Sequence, residues 1–241
     1  MNALHSPEFE QLRVNDLHAF YGESHILHGI DLQVRRGELV TLLGRNGSGR
    51  STTLRAIMNM VGRRTGSIVV NGTETIGLSA HLIPRLGVGF CPEERGIFAS
   101  LNVEENLLLP PNVRSDGMSL DEIYEMFPNL YERRFSQGTR LSGGEQQMLA
   151  MARILRTGAN LLLLDEITEG LAPVIVQKLA EVLIKLKNKG LTIVLVEQNF
   201  HLALDVADDV VVLNTGHVVH AGPADAVRAE PELATRHLGV F

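Results

Sequence analysis

Three separated stretches hold residues whose types and spacing could do chemistry. Gly44–Ser51, GRNGSGRS, has the spacing of a phosphate-binding loop, with Arg50 where that pattern has lysine. In such a loop backbone N–H groups wrap the phosphates, glycines let the chain approach closely, and the Ser51 hydroxyl reaches a Mg²⁺ position. Leu161–Glu166, LLLLDE, is an apolar run ending in two carboxylates. Asp165 at its tip can hold Mg²⁺, and Glu166 can polarise an attacking water. Leu141–Gln147, LSGGEQQ, opens a helical run with a hydroxyl and free N–H groups aimed at an anion. Taken singly, each has a plainer reading: a glycine-rich turn with no ligand, two surface acids after a strand, and a helix start capped by Ser142.

The elements around these motifs must place them. GELVTLLG predicts a compact strand running into the glycine loop, and STTLRAIMNMVG a helix closed by Gly62, with Met58 and Met60 packed in the core. LRVNDLHAFYG and HGIDLQV alternate as half-exposed antiparallel strands do. From Val103 the pattern turns helical between Pro110, Pro111 and Pro128, and with the LSGGEQQ helix it makes an inserted helical subdomain of about residues 103–157. Beyond it, apolar strands alternate with helices, as in a parallel sheet covered on both faces. Residues 1–11 read as an N-terminal tail and 12–241 as one α/β domain. The phosphate loop, the acidic pair and Gln198 are expected at the C-terminal ends of the strands, with Ser142 apart on the helical lobe.

Bulk properties narrow the class. A net charge of −6 over 241 residues disfavours a nucleic-acid partner. The single cysteine, Cys91, excludes an internal disulfide framework and reads as buried bulk. No apolar run reaches membrane-span length and the start lacks a signal-peptide pattern, so a cytoplasmic chain is expected, meeting a membrane only through a partner. His217-x-x-His220 lacks a cysteine or acid at ligand spacing and reads as surface or strand-edge histidines rather than a metal site.

LSGGEQQ resembles the signature of the ATP-binding-cassette ATPases, and the order phosphate loop, signature, acidic strand in one chain makes the resemblance specific. It implies a P-loop NTPase cassette: a mainly parallel sheet, an antiparallel β subdomain and an inserted helical signature subdomain. It also implies ATP and Mg²⁺ as ligands, and two cassettes packed head to tail. Each ATP then lies between the phosphate loop of one (Gly44, Arg45, Asn46, Gly47, Ser48, Gly49, Arg50, Ser51, Thr52) and the signature of the other (Ser142, Gly143, Gly144). By the same resemblance Tyr21 stacks on adenine, and Ser51, Asp165 and Glu93 hold Mg²⁺. Glu166, Gln198 and Glu93 serve catalysis, with Glu93 where the family usually has Gln and Gln198 where many members have His. Ile167 replaces a usual Pro, and Ala172 a common Asp.

YGESHILHGI, IFASLNVEENL, EGLAPVIVQ, LVEQN and the terminal HLGV are similar to the LivF-type branch, the importer ATPases for branched-chain and other hydrophobic amino acids. That branch implies permease partners, a second cassette of the same or another chain, an extracytoplasmic solute-binding protein acting indirectly, and a place on the inner face of the cell membrane. Two alternatives stand beside it: a urea or amide importer ATPase, and a soluble cassette acting as a nucleotide switch. Arg50 keeps the charge of lysine but not its shape, so the expectation is retained nucleotide binding with reduced turnover.

Overall fold

The computed structural model describes residues 10–229. The described chain forms two sheets and eight α-helices. The antiparallel sheet has the order β2-β1-β4-β5, from β1 (Glu10–Tyr21), β2 (Ser24–Arg35), β4 (Arg63–Val70) and β5 (Thr73–Glu74). The second sheet has the order β10-β9-β3-β8-β7-β6. Its members are β3 (Leu39–Leu43), β6 (Val88–Cys91), β7 (Leu161–Asp165), β8 (Thr192–Val196), β9 (Asp209–Asn214) and β10 (His217–Pro223). All neighbours in it run parallel except β10, which returns antiparallel beside β9.

The continuous apolar strands are explained by burial on both faces. On β7, Leu162 and Leu164 enter one core while Leu161 and Leu163 enter another; Ile193 and Leu195 of β8 divide from Val194 and Val196 in the same way. The first core is shared with α5 (Gly143–Arg156) and α6 (Pro173–Asn188). The second lies beneath the antiparallel sheet and α1 (Arg50–Ile57). Strands buried on both faces need no polar alternation, which is the pattern of parallel sheets.

Between β6 and β7 lie α2 (Val103–Leu108), α3 (Leu120–Met126), α4 (Pro128–Glu132) and α5. Asn102, Ser119 and Ser142 each start a helix with a capping box whose third helical residue is Glu105, Glu122 or Glu145. After β8 come α7 (Phe200–Val206) and, beyond β10, α8 (Ala224–Ala229).

Three details depart from the sequence reading. The first strand begins at Glu10, inside the stretch read as a tail, because the Gln11 side chain is buried and its Oε1 accepts from Thr192 Oγ1 at 2.6 Å. Helix α1 ends at Ile57, short of Gly62. Asn59 takes the left-handed conformation at φ +54°, and Met60 N–H closes the turn on Arg55 O at 2.7 Å. That ending turns Met60 outward, 53% exposed, while Met58 stays in the core. The terminal HLGV lies outside the described residues. Cys91 is buried and its thiol is pushed up to about 12, chiefly by desolvation, as inert bulk requires. Among the described residues no helix is long and apolar enough to cross a membrane.

Candidate nucleotide site

The glycine loop joins the buried end of β3 to the start of α1. Two of its glycines are dictated by space. A Cβ on Gly44 (φ +153°) would meet Leu213 O and the Ser48 side chain, and one on Gly49 (φ +105°) would lie 2.7 Å from Leu27 Cδ2. Such backbone angles and approaches suit glycine alone. The loop is tied down from the far side by Gly216 N–H, which donates to Ser48 O at 2.9 Å.

Arg50, the first helical residue, is only 4% exposed. Its Nη1 donates to Glu197 O at 2.7 Å; its Nη2 donates to Glu166 Oε1 at 2.9 Å and to Asn46 Oδ1 at 3.2 Å. The guanidinium therefore bridges the phosphate loop, the acidic tip of β7 and the end of β8. Beside it Ser51 Oγ donates to Asp165 Oδ1 at 2.8 Å. Asp165 is fully buried and its Oδ2 has no partner among the described residues. Burial raises its carboxyl above the usual range, the Ser51 hydroxyl opposes that, and the charge of Glu166 adds to it.

Glu166 has φ +47°, which turns its side chain toward the loop. Its other oxygen, Oε2, accepts from Gln198 Nε2 at 2.7 Å. One carboxylate oxygen each from Glu93, Glu166 and Glu169 lie within 4.8 Å of one another. The contact with Glu166 raises the Glu169 carboxyl, with the charges of Glu166 and Glu93 adding to the effect. A cleft of about 250 Å³ over the loop is lined by Asn46 to Thr52, Glu93, Glu166, Glu169 and Gln198. Unpaired oxygen donors and loop N–H groups together suit a phosphate carrying a hard cation.

The signature residues do not line that cleft. Ser142 caps α5, its Oγ accepting from Glu145 N–H at 3.3 Å. A Cβ on Gly144 would lie 2.8 Å from Ile175 Cγ2, so this glycine also seats α5 against α6. Tyr21 ends β1 at the hairpin, 39% exposed, outside the core.

Two groups escaped the sequence reading. Glu197 is buried, with Oε1 accepting from Thr168 Oγ1 at 2.6 Å and Oε2 from the N–H groups of Gln198 and Asn199. Burial raises its carboxyl. Arg95 donates to Gln146 Oε1 at 3.1 Å, which sets a guanidinium beside Gly143 of the signature. The bonds from Thr168 to Glu197 and from Arg95 to Gln146 cross 29 and 51 residues, and the motifs give no role to Glu197, though it stands in LVEQN, or to Arg95.

The family description "ABC transporter" matches residues 27–169. The chain belongs to the ABC transporter family. The cassette is 38% identical over 231 residues to the high-affinity branched-chain amino acid transport ATP-binding protein BraG of Pseudomonas aeruginosa, spanning 95% of this chain and 99% of the relative. It is 35% identical over 233 residues to the probable branched-chain amino acid transport ATP-binding protein LivF of Archaeoglobus fulgidus, with the same coverage of each chain. A solved ATP-binding cassette, a dimer in a post-hydrolysis state bound to ADP and Pi, superposes with a TM-score of 0.76 at 24% identity. It covers 88% of this chain and 98% of that one, and so shares the fold.

Proposed function

We propose that this cassette is the ATP-hydrolysing subunit of a membrane importer for branched-chain or other hydrophobic amino acids. The observation that carries the reading is the convergence of Ser51, Glu166 and Gln198 on one cleft above the glycine loop, with Asp165 buried behind Ser51 and bonded to its hydroxyl, and with the signature outside the cleft. The near full-length similarity to BraG and LivF supports the choice of solute class.

In this reading the loop N–H groups and Arg50 bind the triphosphate of ATP, and Tyr21 stacks on its adenine. Ser51, Asp165 and Glu93 are the residues that would hold Mg²⁺, and the unpartnered Asp165 Oδ2 fits that role. Held there, Mg²⁺ would supply neutralisation of the phosphate charge. Glu166 accepts a proton from the water whose oxygen bonds to the γ-phosphorus, while the bond to the ADP oxygen breaks. Gln198 fixes the Glu166 carboxylate by donating to Oε2. Glu93 stands beside Glu166 and couples this cleft to the segment that follows it.

Since Ser142, Gly143 and Gly144 are absent from the cleft, the second wall of the site comes from the signature of another cassette, identical or different, packed head to tail. Permease subunits hold the pair at the cytoplasmic face of the membrane and meet the solute-binding protein on the other side; nucleic acid has no part. Co-expression with polytopic membrane subunits, reconstitution into proteoliposomes and an ATPase assay test this. Stimulation by a solute-binding protein loaded with a branched-chain amino acid is expected. A chain that hydrolyses ATP yet joins no membrane subunit would overturn the transport reading in favour of a soluble switch.

A further inference from the structure

Three consecutive residues after β6 face three different places. Glu93 lines the cleft over the chain's own phosphate loop. Glu94 Oε1 accepts from Arg55 Nη2 of α1 at 3.3 Å. Arg95 lies outside that cleft and reaches the signature instead, where Nη1 donates to Gln146 Oε1 at 3.1 Å. A Cβ on Gly143 would lie 3.4 Å from both Nη1 and Nη2, so the guanidinium sits against the first residue of α5. The turn that carries it is pinned to the same helix, because Arg153 Nη1 donates to Gly96 O. Gln146 is itself fixed, its Nε2 donating to Gly138 O at 3.3 Å and to Leu141 O at 3.2 Å.

We propose, resting on the head-to-tail pairing of cassettes, that Arg95 binds the terminal phosphate of the ATP held by the facing cassette, as part of the signature half of the site. Charge supplies the first argument. A helix N-terminus carries partial positive charge, so a cation placed there is unfavourable until an anion joins it. Among the described residues, no acid lies within ion-pair distance of Arg95. Glu145, the acid in the first turn of α5, is already engaged: its Oε2 accepts from Ser142 N–H at 2.7 Å and its Oε1 faces Arg133 Nε at 3.5 Å. With Glu145 spent on Ser142 and Arg133, the Arg95 guanidinium adds to the positive end of the helix instead of being cancelled there.

Donor geometry supplies the second argument. The N–H groups of Gly143 and Gly144, the first two of α5, have no acceptor among the described residues, since the Ser142 cap takes only Glu145 N–H. Arg95 Nη2 likewise has no acceptor there. Two backbone donors and a planar fork gathered at Gly143 suit the oxygens of a phosphate, which a guanidinium meets with paired N–H groups. Arg95 itself is held at φ +64°, a conformation uncommon for a residue with a side chain, and its bond to Gln146 keeps the fork on the signature.

In such a pair the same turn serves two nucleotides. Glu93 faces the chain's own ATP and Arg95 the neighbour's. Only Glu94 separates them, which links the two clefts through one turn.

The experiment measures, by sedimentation, the ATP-dependent dimer of the full Glu166→Gln chain with and without a second substitution. Arg95→Gln should raise the dimer dissociation constant at least about 10-fold, the scale of a hydrogen bond to a charged group. Arg95→Lys, which keeps the charge but not the fork, should fall between the two. The affinity of the single chain for a fluorescent ATP analogue, read at concentrations below dimer formation, should change by less than about twofold, because the loop N–H groups of its own cleft are untouched. Thermal melts without nucleotide should show no loss of stability, because a cation beside a helix N-terminus does not stabilise it. Arg85→Gln, an exposed arginine outside both the cleft and the signature, should leave the dimer unchanged. A dimer unaffected by Arg95→Gln, an equal loss in Arg85→Gln, a matching fall in single-chain affinity or a lower melting temperature overturns the assignment of Arg95 while the paired reading stands. A Glu166→Gln chain that forms no dimer with ATP overturns the pairing and the assignment together.

Discussion

Arg50 Nη2 donates to Glu166 Oε1 at 2.9 Å, and the two side chains are only 4% and 9% exposed. The residue standing where the phosphate loop usually has lysine is thus bound to the carboxylate assigned to the attacking water. A guanidinium can donate in two directions at once, to Glu197 O and to Glu166; a compact ammonium on the same backbone has one point of charge to place.

Replacing Arg50 with lysine is therefore expected to free one oxygen of Glu166 while keeping a cation near the phosphates. Affinity for ATP should stay within about threefold, because the loop N–H groups remain. Turnover in the assembled transporter should rise about 10-fold, the worth of roughly 1.4 kcal/mol in the barrier. Equilibrium nucleotide binding and steady-state phosphate release separate the two effects. Slower turnover with Lys would mean that the loop is already fitted to arginine.

Glu166→Gln keeps an oxygen that can accept from Arg50 but removes the ability to take a proton. Hydrolysis should fall by about 10²–10⁴. ATP should then hold two cassettes together, visible as an ATP-dependent dimer in size-exclusion chromatography. Turnover at the unsubstituted rate would remove Glu166 from the catalytic role.

Much of the site is legible in the sequence because its residues answer to backbone demands that recur wherever a strand meets a phosphate. Gly44 and Gly49 announce themselves since no Cβ fits there, and Asp165 because a carboxylate at the end of LLLL has no structural purpose. The partnerships are not legible. Arg50 and Glu166 are 116 residues apart, and nothing in either motif states that the guanidinium will reach across. Glu197 reads as one acid in a strand end, and only folding shows it gathering Thr168, Gln198 and Asn199. The sequence sets His217 beside His220, whereas its ring partner is His28 on another strand. The end of α1 is hidden for a similar reason: Asn59, stabilised by donating to Leu78 O, supplies the left-handed turn that glycine usually provides.

Tyr21 is exposed at the hairpin and makes no core contact that its loss would empty. Tyr21→Ala should weaken ATP binding by about 1–3 kcal/mol, the scale of base–aromatic stacking. Inorganic triphosphate, which has no base, should bind as before. Calorimetric titration with both ligands gives the comparison, and equal losses would assign Tyr21 a structural role instead.

Asp165 offers a test in which stability and function move in opposite directions. Its carboxyl is raised chiefly by burial, so the folded state binds the proton more tightly than the unfolded chain, whose value is near 3.8. A group shifted upward gives its full contribution below the unfolded value and loses it as pH rises through the folded one. At neutral pH the ionised, half-partnered carboxylate is therefore a cost that the empty site bears. Asp165→Asn keeps an oxygen for the Ser51 hydroxyl and removes the charge. In chelator and without nucleotide it should raise stability by about 1 kcal/mol near neutral pH, a gain that shrinks as the pH falls toward 4. Thermal melts across that range read the effect directly. With ATP present the same substitution should weaken binding in Mg²⁺ much more than in chelator, because the lost charge is the one assigned to the cation. A variant less stable than the parent at neutral pH, or one whose ATP affinity keeps its full Mg²⁺ dependence, would show that Asp165 holds the strand end rather than the metal.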